Sequence, residues 1–329
     1  MEFTFGICAY NSEKFIIPTL KSIKYQIENY GENINCNLVL LDDHSNDKTI
    51  SIVREWVEIN KNLFTNTNII TNKTNIGISK SYAKLLENIH TEYFIKIDGD
   101  DIFSSDNIFE KCFSVSKDEC RVYTPMLFNN EGATYIRDND CLNIFYYGNI
   151  NHSHKKDVQL IETYKPFMTP QVVITRSNFT EGCLKFIRDY TQFEDDTSIW
   201  YAFKNNPNMT LNYVKEPFVL YRVHNKSLSN GVTSVHQIQF LDDLHKFKKY
   251  MLKSEKNMFT KMFLLFAAWD TFLMKHRFAT NYSLCRKLVL NRTKKINRKL
   301  ENNEEYREFC KYLEIKCKSE KQYLENIMN

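Results

Sequence analysis

The first hundred residues alternate short apolar runs with segments whose apolar residues recur at helical spacing. A run at 3–8 precedes a helical pattern over 12–26, in which Phe15, Leu20 and Ile23 share one face. The same alternation continues to residue 97, with apolar runs at 36–41, 68–71 and 93–97 and helical patterns at 47–60 and 78–89. Continuous apolar strands separated by helices are typical of parallel strands covered on both faces. The pattern predicts a doubly wound α/β half with parallel strands.

Beyond residue 106 the alternation weakens and the chain becomes mixed α+β. Strand-like runs lie among polar loops at 122–128, 171–174 and 218–223. From about residue 234 the pattern is helical, with amphipathic stretches at 236–252, 258–276, 282–299 and 303–327. We therefore predict one domain over 1–233 and a helical C-terminal region over 234–329.

Charge divides the chain at nearly the same place. Residues 1–241 carry 24 basic and 29 acidic side chains, whereas residues 242–329 carry 20 and 11. A basic tail suits an anionic partner, and a membrane surface or a pyrophosphate-bearing acceptor fits as well as nucleic acid does. The nine cysteines are scattered without a CxxC pair, which favours reduced thiols over a zinc site or disulfides. No apolar run is long enough to cross a bilayer and residues 1–10 do not resemble a signal peptide, so we expect a cytoplasmic protein.

Three carboxylates follow the fourth predicted strand directly. They belong to Asp98, Asp100 and Asp101, and Gly99 between them lets the backbone approach a ligand closely. Such a cluster repels itself unless a cation is present, and oxygen ligands suit Mg²⁺ or Mn²⁺. A cation here would neutralise the negative charge of the diphosphate of a bound group-transfer donor. An acidic turn that caps the next helix explains the same residues without a metal.

Polar residues also end the first two predicted strands. Asp42 and Asp43 follow the second strand, and Ala9, Tyr10 and Asn11 end the first. In doubly wound sheets, ligands bind beyond the carboxyl ends of the strands. A carboxylate there can accept hydrogen bonds from a base N–H or a ribose hydroxyl, and an aromatic ring can pack on the base. The acidic pair alone is explained equally well as a helix N-cap, but three neighbouring polar strand ends favour a nucleotide site.

Four motifs, at 9–11, 41–49, 75–77 and 98–101, occur in this order along the chain. In order and spacing they resemble the inverting family 2 glycosyltransferases of bacterial surface-glycan synthesis, over roughly residues 3–225. The resemblance implies an α/β GT-A nucleotide-diphospho-sugar transferase fold, that is, a doubly wound mixed sheet, here with a C-terminal helical region. It further implies transfer of a hexose from a UDP-sugar to a hydroxyl of a lipopolysaccharide, O-antigen or capsule acceptor, with Mn²⁺ or Mg²⁺ as cofactor.

The resemblance also implies roles for individual residues in donor binding and metal binding. Asp100 would hold the metal, with Asp98 as a second candidate, and Asp98 would otherwise face the ribose or the sugar. Asp43 would bind the uridine. The remaining expected donor-binding residues are Ala9, Tyr10, Asn11, Asp42, Asn75, Gly77 and Gly99.

Two later segments complete the expected site. The family places its catalytic base on an acidic pair before a helix, and we assign Asp195 as the base, with Asp196 and Glu194 as alternates. An ordinary helix start is the alternative explanation of these acids. The segment 220–227 resembles the family's closing loop, in which His224 would ligate the metal and Arg222 and Lys226 would reach phosphate. The sequence departs from the family in lacking a basic residue soon after 200.

Other functions explain fewer of these features. A sugar-phosphate nucleotidyltransferase also pairs a doubly wound sheet with acidic metal ligands, but it would show a glycine-rich basic loop after the first strand. A receiver domain of a signalling protein explains Asp42 and Asp43 but not residues 98–101. A non-catalytic relic that binds nucleotide-sugars is a further alternative. No Walker or GxGxxG motif follows the first strand, which disfavours ATP hydrolysis and dinucleotide chemistry.

The expected partners follow from the same reasoning. They are a nucleotide-sugar donor and a glycan or lipid-linked acceptor, with peripheral contact to the anionic inner face of the plasma membrane and no nucleic acid. Homo-oligomer formation is compatible with the sequence.

Overall fold

The computed structural model describes residues 1–129, 132–164, 171–191, 194–224, 234–275, 291, 294–300 and 302–328. Its N-terminal part is a parallel sheet in the strand order β3-β2-β1-β4, which confirms the doubly wound prediction. The strands are β1 (Glu2–Ala9), β2 (Asn35–Asp42), β3 (Asn66–Thr71) and β4 (Phe94–Asp98). Helices α1 (Ile16–Tyr30), α2 (Thr49–Ile59) and α3 (Ile78–Glu87) connect them.

Both faces of this sheet are buried, which explains why its strands are continuous apolar runs. Along β2, Leu38 and Leu40 pack into one core with α1, whereas Val39 and Leu41 pack into the other with α3. This alternation follows from the two-residue period of a strand. Each face therefore requires a helical layer, and the crossover helices supply it.

The second half is mixed α+β, as predicted. Its sheet has the order β5-β9-β6-β7, with β8 also paired to β6; β6 and β9 are parallel, and the other pairs are antiparallel. The strands are β5 (Ile102–Phe103), β6 (Glu119–Asn129), β7 (Thr134–Tyr135), β8 (Val172–Val173) and β9 (Thr210–Val223). The helices are α4 (Ile108–Phe113), α5 (Asp138–Gly148), α6 (His154–Tyr164), α7 (Glu181–Arg188) and α8 (Glu194–Asn205).

The C-terminal region is helical where it is described. It contains α9 (Ser234–Ser254), α10 (Met258–Lys275), α11 (Glu304–Met328) and a helical segment at 294–300. The predicted helix at 282–299 lies largely outside the described residues. The boundary at 233/234 stays a prediction.

Helix α11 packs against strands β5, β6 and β9 of the second sheet. Tyr323, Leu324 and Ile327 form one apolar cluster with Ile102 of β5 and other residues of the second sheet. The cluster is accompanied by a buried polar contact, in which the carboxylate of Glu320 accepts hydrogen bonds from the backbone N–H and the hydroxyl of Ser105. The last helix of the chain thereby supports the segment that follows residues 98–101.

A buried carboxylate connects α6, α8 and the end of α9. Glu162 is fully buried and accepts a hydrogen bond of 3.0 Å from the indole N–H of Trp200. Lys204 Nζ lies 2.8 Å from Glu162 and 3.5 Å from Glu255. Burial raises the pKa of Glu162 to about 7. The pKa of Glu255 is lowered to about 2, because hydrogen bonds from Glu162 and from backbone N–H groups outweigh its own burial.

Stability should therefore decrease as the pH rises through the pKa of Glu162. Between its ordinary value of 4.5 and about 7 the folded chain holds a proton that the unfolded chain has lost. The free energy of unfolding should fall by about 2 kcal/mol from pH 5 to pH 7.5. In Glu162→Gln this contribution should vanish, since the amide stays neutral throughout. Urea denaturation of both proteins across this range tests it, and equal pH dependence in the two would contradict it.

Candidate active site

The polar strand ends lie side by side at one edge of the parallel sheet. In the strand register, Ala9 of β1 is paired with Asp42 of β2, and Cys8 is paired with Asp98 of β4. The backbone continues this pairing past the strands, since Asp43 N donates to Ala9 O and Gly99 N donates to Cys8 O, both at 2.9 Å. The two acidic loops therefore flank the end of β1.

The loop after β1 is held against the loop after β2. Asn11 takes a left-handed conformation (φ +49°), which asparagine tolerates better than most residues. Its side-chain oxygen accepts from Asn46 N at 2.8 Å, and its own N–H donates to Ser45 Oγ at 2.8 Å. The buried carboxylate of Asp42 accepts from the N–H and the hydroxyl of Ser45. Tyr10 beside them has 47% of its surface exposed, so its ring is free to meet a ligand.

The carboxylate of Asp43 organises the segment at 75–77. Its Oδ1 accepts hydrogen bonds from Asn72 Nδ2 and Ile76 N, and its Oδ2 accepts from Gly77 N, each at 2.9 Å. A carboxylate offers about four acceptor positions, so this arrangement leaves about one for a ligand. Asn75 is exposed, and its side-chain oxygen also accepts from Gly77 N, at 3.2 Å.

Gly77 lies against Thr191, which precedes helix α8. Its backbone is left-handed (φ +87°), and a Cβ there would lie 2.7 Å from Thr191 Cγ2 and 2.8 Å from Thr191 O. Thr191 is itself fixed, because its carbonyl accepts from Ser79 N at 3.1 Å and its N–H donates to Asp243 of α9 at 2.6 Å. Helix α9 therefore helps to position the loop that Asp43 holds.

Replacing Gly77 by alanine should destabilise the protein by about 3 kcal/mol, because backbone strain adds to a clash with a fixed backbone carbonyl. Gly132→Ala is the matched control: Gly132 also has a positive φ (+76°), but a Cβ there would meet nothing within 4 Å. We expect that control to lose about 1 kcal/mol. Chemical denaturation of both variants measures the difference, and equal losses would contradict the proposed clash.

Residues 98–101 form a loop in which Asp98 and Asp100 are half-buried and Asp101 is buried. Lys96 Nζ, on β4, lies 3.0 Å from each carboxylate oxygen of Asp98. Asp101 is buried, and its Oδ1 accepts from Arg222 N at 2.9 Å, whereas its Oδ2 has no hydrogen-bond partner within the described part of the chain. Burial and the neighbouring charges of Asp100 and Asp98 raise the pKa of Asp101 well above its usual range.

The buried side chain of Arg222 supports the loop at 98–101 from the protein interior. It is buried, its Nε donates to Asp100 O at 2.8 Å, and its guanidinium lies over the rings of Phe128 and Phe15, 4.4 and 5.0 Å from their centroids. Burial lowers the pKa of Arg222. In this position the side chain orients the Asp100 backbone, while the expectation that it reaches phosphate stays a prediction.

Asp100 and His224 have the donor chemistry of a metal site. Asp100 Oδ2 and His224 Nε2 are 2.9 Å apart, and Phe15 stacks on the imidazole at 4.6 Å between centroids. Carboxylate oxygen and imidazole nitrogen are both ligands of Mn²⁺. The buried Oδ2 of Asp101, the next residue, lacks a hydrogen-bond partner among the described residues. Among the described residues no group of three or more His, Cys, Asp or Glu side chains could hold a metal ion. The residues fit a cation whose other ligands are substrate phosphates and water.

The candidate base stands at the start of α8. The helix begins at Glu194, but the side chains of Glu194, Asp195 and Asp196 lie outside the described residues, and so does Lys226. Their backbone follows Thr191, which contacts Gly77, so the helix starts beside the loop held by Asp43. Further along α8, the first basic residue is Lys204, which faces Glu162 rather than the strand ends.

Sequence reasoning missed four residues that shape this edge: Phe15, Asn72, Lys96 and Thr191. Lys96 carries a recognisable signal, because a lysine between two isoleucines of a buried strand requires a charged partner. Asn72 follows β3 directly, and so it obeys the same strand-end rule as Asp43. Phe15 and Thr191 lack such a signal, since their roles depend on contacts with His224 and Gly77 far along the chain.

A doubly wound parallel sheet, a second mixed sheet and acidic loops at the strand ends define a glycosyltransferase of the GT-A fold. The chain belongs to glycosyl transferase family 2, whose model matches residues 4–185. This membership confirms the family resemblance and makes the protein a glycosyltransferase, and neither a nucleotidyltransferase nor a signalling module.

Individual proteins resemble the chain at low identity. It is 24% identical over 252 residues to a curated Haemophilus influenzae protein described as an uncharacterized glycosyltransferase, covering 74% of this chain and 71% of the relative. S. aureus TarS 1-349 with UDP-GlcNAc superposes with a TM-score of 0.57 at 15% identity, over 83% of this chain and 73% of that TarS fragment. A Pyrobaculum calidifontis mannosyltransferase with GDP-Man and Mn²⁺ superposes with a TM-score of 0.50 at 14% identity, over 99% of this chain and 85% of the mannosyltransferase. Among the described residues, none of the helices has the length and apolarity of a membrane span.

Proposed function

We propose that this enzyme transfers a hexose from a UDP-sugar to a hydroxyl of a surface-glycan acceptor, with inversion at the anomeric carbon and with a divalent cation. The observation that carries the proposal is the convergence of Asp100 and His224, 2.9 Å apart, at the same sheet edge as Asp43. A lipopolysaccharide, O-antigen or capsule unit, free or lipid-linked, is the proposed acceptor class.

The choice of a nucleotide-sugar donor rests on the loops around β1. Asp43 keeps about one acceptor position for a base or ribose N–H or O–H, and the exposed ring of Tyr10 provides a surface on which a base can stack. Complexes of TarS with UDP-GlcNAc and of the mannosyltransferase with GDP-Man support a nucleotide-sugar as the donor. Uridine is proposed over guanosine because of the motif resemblance.

Asp100 and His224 would hold Mn²⁺ or Mg²⁺, and Asp98 is the next candidate ligand. A bound cation would supply charge neutralisation for the departing diphosphate. Neighbouring side chains of the protein hold these candidate ligands in position. Arg222 fixes the Asp100 carbonyl, Phe15 packs against the imidazole of His224, and Lys96 orients Asp98.

Inversion in one displacement requires a base on the side opposite to the leaving group. We assign this role to Asp195, which would take the proton of the acceptor hydroxyl as its oxygen attacks the anomeric carbon. The assignment is supported by the position of the start of α8, which follows Thr191 and its contact with Gly77.

A transfer assay tests the proposal. The purified enzyme is incubated with UDP-, GDP- and CDP-sugars, a panel of glycan acceptors, and either Mn²⁺ or EDTA. We expect release of UDP that requires both acceptor and cation, and a product whose anomeric configuration, measured by NMR, is opposite to that of the donor. Release of another nucleotide would change the assignment of the donor. Retention of configuration, or full activity in EDTA, would contradict the mechanism.

A further inference from the structure

Helix α10 is apolar on two opposite faces, of which only one is covered by other residues that the structure describes. Its inner face, with Leu264 and Ala268, is buried against the core. Its outer face repeats with the period of a helix and consists of large exposed side chains. We call these side chains the outer stripe, and they are Met258, Phe259, Met262, Leu265, Trp269 and Phe272. Large contiguous apolar surfaces are uncommon on soluble proteins and mark sites of contact with a partner or a membrane.

The sequence around the outer stripe is strongly basic. Residues 246–299 contain fifteen lysine and arginine residues and only two acids, Glu255 and Asp270. Both acids point away from solvent: Asp270 is buried, and Glu255 is paired with Lys204. Exposed lysine and arginine residues follow at Lys294, Lys295, Arg298 and Lys299. The outer stripe therefore lies within a stretch of sequence whose positive charge its two acids do not neutralise.

We propose that the outer stripe of α10 is a membrane-docking surface that inserts among the headgroups of an anionic bilayer. An apolar helical face flanked by lysine and arginine is the pattern of interfacial helices, whose binding combines buried apolar area with attraction to anionic lipid. A second copy of this chain is the less suitable occupant, because pairing two such surfaces would bring like charges together. Neutral apolar partners would leave the basic residues without a role.

Docking at this surface would connect the candidate active site to the membrane through a short series of side-chain and backbone contacts. Helix α10 packs on α9, where the ring of Phe272 lies 6.1 Å from that of His245. Two residues before His245, Asp243 holds Thr191, which fixes Gly77 at the active-site edge. The inference does not depend on the proposed donor or acceptor, because membrane binding is measured without either.

Vesicle flotation with the 329-residue protein tests the proposal. We expect binding to phosphatidylglycerol-containing vesicles at low salt, little binding to pure phosphatidylcholine, and loss of binding at high salt. The double variant Phe259→Ser and Met262→Ser, at residues 82% and 63% exposed, should bind anionic vesicles about tenfold more weakly or worse. The matched control is Ile59→Ser with Ile315→Ser, at residues 74% and 68% exposed on α2 and α11, and it should bind like the wild type.

Fluorescence of Trp269 gives a second readout that does not require a disruptive variant. The emission of the wild type should shift to the blue with anionic vesicles, and Trp269→Phe should abolish the shift while Trp56 and Trp200 remain. Absence of binding to anionic vesicles would overturn the proposal, as would equal binding by the stripe variant or by neutral vesicles. So would a dimer, formed without lipid, that the stripe variant converts to a monomer.

Discussion

Replacing Asp100 by asparagine should lower the rate of sugar transfer by about a thousandfold and leave the fold intact. The amide lacks the negative charge that would hold a divalent cation beside His224, and charge stabilisation by a metal contributes several kcal/mol to the transition state. The fold should survive, because Arg222 binds the backbone carbonyl of Asp100, which the substitution retains. The measurement is the transfer rate as a function of Mn²⁺ concentration, with the melting temperature as a check on folding.

A control for this variant is Asp138→Asn, since Asp138 is an exposed acid in the first turn of α5, outside the candidate site. It should retain full activity and the wild-type dependence on Mn²⁺. If Asp100→Asn has the same rate and the same metal dependence as this control, Asp100 does not ligate a catalytic cation.

Replacing Asp195 by asparagine should lower kcat by about a thousandfold, the scale that a positioned general base contributes. The affinity for UDP should change little, because Asp195 is assigned to the acceptor and not to the nucleotide. Asp196→Asn is the matched control one residue along, and we expect it to stay within a few fold of the wild type. Steady-state kinetics and UDP titrations on the two variants separate catalysis from binding.

The outcome also resolves the ambiguity within residues 194–196. A larger loss in Asp196→Asn would move the base by one residue and keep the mechanism. If both variants, and Glu194→Gln as well, retain near-normal kcat, none of these acids removes the acceptor proton, and the start of α8 is only a helix cap.

The architecture around the site could be predicted from sequence because its signals are local. Apolar runs and helical spacing gave the parallel strands to within one or two residues, and the strand ends then placed Asp43 and Asp98 on one edge. The predicted start of α1 at residue 12 was wrong by four residues, since the helix begins at Ile16. The chain first forms a turn, in which the carbonyl of Ser12 accepts from both Phe15 N and Ile16 N. A turn held by backbone hydrogen bonds thus precedes the helix, and apolar spacing alone does not separate the two.

Contacts between distant segments could not be predicted in this way. Glu320 meets Ser105, and Asp243 meets Thr191, although neither pair lies within one motif. The same limit applies within the site, where the acceptor positions of Asp43 are largely taken up by Asn72 and by the backbone at 76–77. Such contacts depend on how helices dock, which periodicity does not encode. They also show that the C-terminal helices support the loops of the active site.

We infer that the loops after β1, β2 and β4, together with His224, form one nucleotide site that depends on a cation. The decisive measurement is a thermal-shift series with UDP, GDP and CDP, each with Mn²⁺ or with EDTA, because a ligand that binds the folded state raises the melting temperature. We predict that UDP raises the melting temperature in Mn²⁺ and fails to do so in EDTA. No shift with any of the three nucleotides, or an equal shift in EDTA, would contradict the claim.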